Sequence, residues 1–244
     1  MTAGTGFHGQ VVAIDWSGAK DRHVQTSTIR VAAIRDGSYW ELSGGRTREE
    51  TIEYCLGCEP PVLIGLDFSF SVPEWFAREH GCTTIDDVWA LAARAGESWL
   101  KPTPPFWRER CAVRPERRFR QCEKRLRAAG FPAKSIFQLV GNGQVGAGSI
   151  RGMPLLSRLR AEGFAIWPFD KSSDRTAFEI YPSAMRAEEF AGWDLTRFTS
   201  THARDAVVSA LAMWRYRDTF ATLEAATDPV TRIEGDVWMP SSSP

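Results

Sequence analysis

Twice early in the chain a short apolar run ends in an aspartate: Val-Val-Ala-Ile-Asp at residues 11–15 and Val-Leu-Ile-Gly-Leu-Asp at residues 62–67. Continuous apolar runs of this length, bounded by turn signals, read as strands buried on both faces. Gly18 punctuates the first run and Pro60-Pro61 precedes the second. If the two strands are parallel neighbours, Asp15 and Asp67 emerge at one sheet edge, the carboxyl edge where open α/β sheets place their sites. One aspartate after a strand is an ordinary turn or cap residue. The same placement twice asks for a shared reason.

The pattern between the two runs allows them to be parallel. Residues 28–34 are β-branched and alternating, and so predict a second strand. Asp36-Gly37 is a hairpin signal, residues 38–42 return as a third strand, and Gly44-Gly45 ends it. Thr47-Arg48-Glu49-Glu50 is a capping-box pattern that opens a helix running to about Cys58. Strand, strand, strand, helix, strand is an antiparallel meander followed by a crossover that returns parallel to the first strand. Residues 72–133, rich in Pro and Trp, break this rhythm. They read as an insertion packed on the core, with helical pieces at 84–95 and 115–129. Beyond it the sequence predicts a strand at 135–140, a Gly-rich loop at 141–152, a helix at 153–162, strands at 164–169 and 177–181, and a helix from Ala203 to about Tyr216.

That last helix carries a third acid. From Ala206 to Trp214 only Ser209 is polar, and a helix apolar nearly all round is buried. Asp205 shares a face with Val208, Ser209 and Ala212, small enough for the helix to lie close to a sheet. The bland alternative is an acid favoured in a first helical turn by the helix dipole. Glu179, inside the strand Phe178-Glu179-Ile180-Tyr181, is a fourth candidate, unless strand alternation turns it to solvent. Converging carboxylates repel one another and would protonate unless a cation sits among them. Mg²⁺ and Mn²⁺ prefer such oxygen ligands. Two ions about 3.5–4 Å apart activate a water and stabilise the leaving oxygen in phosphodiester cleavage.

Composition narrows the setting. Thirty acidic and thirty basic residues give no net charge, so any nucleic-acid partner must be met by a local patch. Residues 101–127, opening at Lys101 and closing at Arg127, hold ten Lys or Arg against three Glu, with Phe106, Trp107 and Phe119 between them. This is a footprint suited to single-stranded nucleic acid, or else a solvated helix face with internal ion pairs. Five cysteines, an odd count in a chain of this size, indicate reduced thiols and a cytoplasmic setting rather than a disulfide framework. The lone Cys55–Cys58 pair lacks the partners of a zinc site. No apolar run suggests a membrane span, and residues 1–10 have no signal-peptide character.

The order of elements and acids resembles the ribonuclease-H-like fold. More specifically, the chain resembles the domain of unknown function 429 family of predicted nucleases. The stretches that carry this are IDWSGA from Ile14, DFSFS from Asp67, FRQCE from Phe119, SIFQLVGNGQVGAGSIRGMP from Ser135, FAIWPFD from Phe164, EIYPS from Glu179, HARDAVVSALAM from His202, and Glu234-Gly235. The resemblance implies one domain over residues 1–244, a three-layer α/β core with a mixed five-stranded sheet, and a helical insertion. It implies Asp15, Asp67 and Asp205 as ligands of one or two Mg²⁺ or Mn²⁺ ions, with Glu179 beside them.

Four further residues are candidates for substrate contact. Ser17 and Lys20 follow Asp15, Arg151 lies in the Gly-rich segment, and His202 sits one helical turn before Asp205. The Gly-rich loop could wrap a phosphate, although it lacks the Lys-Ser/Thr ending of a P-loop. The reading is a metal-dependent phosphodiester hydrolase, a nuclease. Two alternatives compete with it: an actin-like nucleotide-binding phosphotransferase, in which residues 15–18 form a phosphate loop, and a catalytically inactive binding module.

Overall fold

The computed structural model describes residues 7–37, 39–101, 104–108, 113–140, 145–185 and 195–240. The two apolar runs are central strands, β1 (Gln10–Asp15) and β4 (Val62–Leu66), paired in parallel with Ile14 opposite Leu66. β2 (Arg30–Arg35) and β3 (Tyr39–Ser43) complete the antiparallel meander. β5 (Ala165–Trp167) and β6 (Arg175–Glu179) extend the other side in parallel. The sheet is mixed and six-stranded, in the order β3-β2-β1-β4-β6-β5. It thus has one strand more than the five expected.

Strand alternation sends side chains into two layers. Val12, Ile14, Ile64, Leu66 and Ala177 join one buried apolar cluster, which also takes in residues of α2 (Arg48–Leu56), α4 (Ile85–Trp99) and α6 (Val145–Ala161). Val11, Ala13, Leu63, Phe178 and Ile180 face the opposite way, against α7 (Thr201–Arg215). Gly65 lets α7 approach closely, because a Cβ there would stand 2.7 Å from the Met213 sulfur. The capping box that opens α2 is formed, with Thr47 Oγ1 accepting from Glu50 N and Glu50 accepting from Thr47 N.

Several local expectations are corrected. A short helix, α1 (Arg22–Thr28), intervenes between β1 and β2, N-capped by Asp21, whose side chain accepts from Val24 N. Its sequence has no apolar periodicity to announce it. Residues 135–140 are not a strand. Ser135 makes a turn there, accepting from Gln138 N, and Ile136 and Phe137 are apolar because they plug the interior. The Gly-rich segment is helical from Val145 onward, and residues 141–144 lie outside the described set. Its glycines are there for close packing. A Cβ on Gly146 would stand 2.3 Å from Ile136 O, and one on Gly152 would stand 2.6 Å from the Phe68 ring.

Residues 72–133 contribute α3 (Glu74–Glu79), α4 and α5 (Gln121–Ala128). Phe76 and Trp89 from this stretch belong to the same buried cluster as β1 and β4. A last short helix, α8 (Thr231–Glu234), sits against it, with the Glu234 carboxylate accepting from Glu74 N and Gln121 N. No described helix is long and apolar enough to cross a membrane.

Candidate carboxylate site

Asp15 and Asp67 leave the sheet side by side, with Asp67 N donating to Ile14 O at 3.0 Å. By strand parity both point to the α7 face, continuing the rows Val11–Ala13 and Leu63–Gly65. α7 begins there, N-capped by Ser200, and delivers His202 and Asp205 to the same place. The three acids and His202 line one cavity of about 520 Å³. Its other walls are Trp16 to Ala19, Val24 and Thr28 of α1, and Val145 and Gly148 at the start of α6.

The electrostatics are those of crowded, undercompensated acids. Asp15 is buried, and its Oδ2 accepts from His202 Nδ1 at 2.7 Å. Burial raises its carboxyl, while the bond to His202 acts in the opposite direction. Asp67 is pushed well above the usual carboxylate range by burial, and then by the charges of Asp15, Asp205 and Glu179. Asp205 is pushed up to about 6 by burial and by Asp15. His202 is raised, mainly by its bond to Asp15. Neither the Asp67 nor the Asp205 carboxylate has a hydrogen bond or ion pair among the described residues, and the cavity lining there includes no Lys or Arg.

The loop after β1 is held from behind. Arg48 Nη1 donates to Ser17 O at 3.0 Å and to Ala19 O at 2.7 Å. Arg151 donates to Gly18 O while pairing with Glu97 through two nitrogens. Trp16 Nε1 donates to Gly148 O at 3.2 Å. A Cβ on Gly18 would stand 2.4 Å from Gly148 N, so the loop and α6 touch backbone to backbone.

The candidates thus separate. Asp15, Asp67, Asp205, His202 and Ser17 share the cavity. Arg151 braces its loop from outside the lining, and Lys20 is exposed beyond it. Glu179 is neither at solvent nor in this cavity. Its parity matches Ala177, so it faces the α4–α6 side and is buried against Arg120, which donates to it through Nη1 at 2.8 Å and Nη2 at 2.5 Å. Arg120 also pairs with Glu123 at 2.9 Å and donates to Glu234 O at 3.0 Å. The stretches FRQCE, EIYPS and Glu234-Gly235 therefore meet in one buried charge network. Sequence reasoning missed Arg120, and its only signal was an arginine placed among Phe119 and Cys122.

Part of the basic segment is engaged by other residues of the protein. Arg117 pairs with Glu79, Arg125 pairs with Asp236, Arg118 donates to Val113 O, and Arg127 donates to Ala133 O. Residues 102–103 and 109–112, including Cys111, lie outside the described set. Cys55, Cys58, Cys82 and Cys122 are buried free thiols; burial pushes the Cys58 thiol up to about 11, far from a reactive thiolate.

The donor set suits a hard cation in charge and in element. Among the described residues, however, no group of three or more His, Cys, Asp or Glu is gathered closely enough to hold a metal ion as it stands. Mg²⁺ does not require such a cage. It keeps several waters and binds through one or two carboxylates together with substrate phosphate. No protein-family model, curated protein or solved structure matches this chain.

Proposed function

We propose that the protein is a metal-dependent phosphodiester hydrolase of ribonuclease-H-like architecture, a member of the domain of unknown function 429 family, with its site at Asp15, Asp67 and Asp205. One observation carries the reading. Three acids from two parallel strand ends and a buried helix line one cavity, and two of them have no hydrogen bond or ion pair among the described residues. Leaving carboxylates so placed is costly without a cation. The strand order, an antiparallel meander followed by parallel strands, supports the architecture.

Asp15 and Asp67, with Asp205 opposite, would hold Mg²⁺ or Mn²⁺. When bound, the ion would supply positive charge for the phosphate beyond what His202, the cavity's one basic side chain among the described residues, can offer. The residues of the chain do the rest. His202 fixes the carboxylate plane of Asp15 through its Nδ1 bond. Arg48 and Arg151 hold the Ser17–Ala19 loop still as a wall. In the reaction water adds across one P–O ester bond, its oxygen going to phosphorus and its proton to the departing alcohol.

The test is calorimetric titration of Mg²⁺ and Mn²⁺ into wild type and Asp15→Asn, followed by hydrolysis assays of both. Binding and cleavage lost together in the variant are the expected result. Cleavage that survives in Asp15→Asn overturns the assignment. Saturable ATP binding without phosphodiester hydrolysis would favour the phosphotransferase reading instead.

A further inference from the structure

Resting on the hydrolase reading, the shape of the cavity points to its substrate class. We infer that the site takes a single nucleoside unit bearing a phosphodiester, inserted end-on, and not the interior of a long strand or a duplex.

Three observations lead there. The first is size. At about 520 Å³ the cavity lies within the roughly 300–1,000 Å³ range of small-molecule sites. It is walled by α1 on one side, the start of α6 on another and the start of α7 on a third. α1 is the wall that a plain β1–β2 hairpin would lack.

The second is apolar lining. Val24 on α1 is the one large apolar side chain left exposed among the described residues, at 43%, and it lines this cavity. Ala19 and Val145 line the cavity with it. An apolar wall facing an acidic floor matches a ligand with an uncharged, flat body and an anionic end that a divalent ion brings to the carboxylates.

The third is the lack of a track. Proteins that grip long nucleic acids do so with Lys and Arg on successive phosphates. Here the cavity lining has none among the described residues; of the nearby basic segment, Arg120 is buried, Arg118 and Arg127 donate to backbone carbonyls, and Arg117 and Arg125 sit in surface ion pairs.

The probes are a nucleoside p-nitrophenyl phosphodiester, a linear single-stranded oligonucleotide, and the same sequence closed into a covalent circle, each assayed with Mn²⁺. The circle is expected to resist. Hydrolysis of the small ester alone assigns the site to free nucleotide esters, and stepwise shortening of the linear strand assigns it to strand ends; both support the inference. Val24→Ser, on an exposed position and without a new charge, is expected to raise KM for the ester roughly fivefold, with little change in Mn²⁺ binding. Cleavage of the circle at the rate of the linear strand, or an unchanged KM in Val24→Ser, overturns this inference and leaves the hydrolase reading standing. No hydrolysis of any probe overturns both.

Discussion

His202 Nδ1 donates to Oδ2 of Asp15 at 2.7 Å, joining the first turn of α7 to the last residue of β1 across 187 positions of sequence. The bond occupies one carboxylate oxygen and leaves the other free to face the cavity. Partners of this kind orient a ligand, and their loss typically costs about 10–100-fold in metal affinity. His202→Ala is therefore expected to weaken Mn²⁺ binding by roughly tenfold or more. His202→Asn, which keeps a donor near the same place, is expected to recover part of it. Equal affinity in wild type and His202→Ala would remove His202 from the site.

Asp205 supplies a pH test. Its folded carboxyl stands at about 6 against an ordinary 3.8. Between these values the folded protein holds a proton that the unfolded chain has released, so this group's contribution to stability falls as pH rises through that window. Asp205→Asn escapes the loss. Its melting temperature is expected to exceed wild type at pH 7.5 and to converge with it near pH 4. Asp67→Asn is expected to behave in the same direction, because burial and the same acid neighbours raise its carboxyl. Saturating Mn²⁺ should lift wild type at pH 7.5 and do less for either variant. A gap between variant and wild type that is the same at both pH values contradicts the crowded-acid account.

Glu179 and Arg120 separate fold from chemistry. Arg120→Met leaves Glu123 and Glu179 buried without their cation, and breaking a buried pair from one side costs about 3–5 kcal/mol. In a chain of this size that is a fall in melting temperature of roughly 6–20 °C. Glu179→Gln keeps the hydrogen bond to Phe70 N and is expected to cost less. Its Mn²⁺ affinity is expected to change far less than that of Asp15→Asn, because Glu179 points away from Asp15 and reaches the site only through its charge on Asp67. Metal binding abolished in Glu179→Gln would return it to the ligand set.

Parity explains what could be read in the sequence and what could not. The runs ending in Asp15 and Asp67 were legible because buried parallel strands are uniformly apolar and a terminal carboxylate stands out. Asp205 was legible because its helix is apolar all round. Glu179 was not, because Phe178 and Ile180 on either side are both apolar, and only the register of β6 against β4 shows which face each takes. The six-stranded sheet was missed at its edge, where β5 spans three residues. α1 was missed because the helix is short and all of its seven residues but Val24 are polar; Asp21 as an N-cap was the available signal. The Gly-rich segment looked like a phosphate loop because glycines that admit backbone contacts within a helix are indistinguishable, in sequence, from glycines that turn a loop.

Gly18 tests whether the loop after β1 must lie against α6 for the site to work. The space for a Cβ is filled by backbone, Gly148 N at 2.4 Å and Ala147 C at 2.8 Å, so no side-chain rotation relieves the clash. Gly18→Ala must push the loop and the helix apart. Overpacking of this kind costs about 1–3 kcal/mol. The displacement also carries the Ser17–Ala19 wall, and the carbonyl that Arg151 holds, away from the acids. The variant is expected to melt a few degrees below wild type and to lose substrate affinity more than metal affinity, because Asp15 and Asp67 are fixed by β1 and β4 rather than by the loop. Metal titration and KM measured on the same preparation give that ratio. Equal losses in both would mean that the loop and the strand ends move as one unit, and the site would then have to be described as depending on α6 as much as on the sheet.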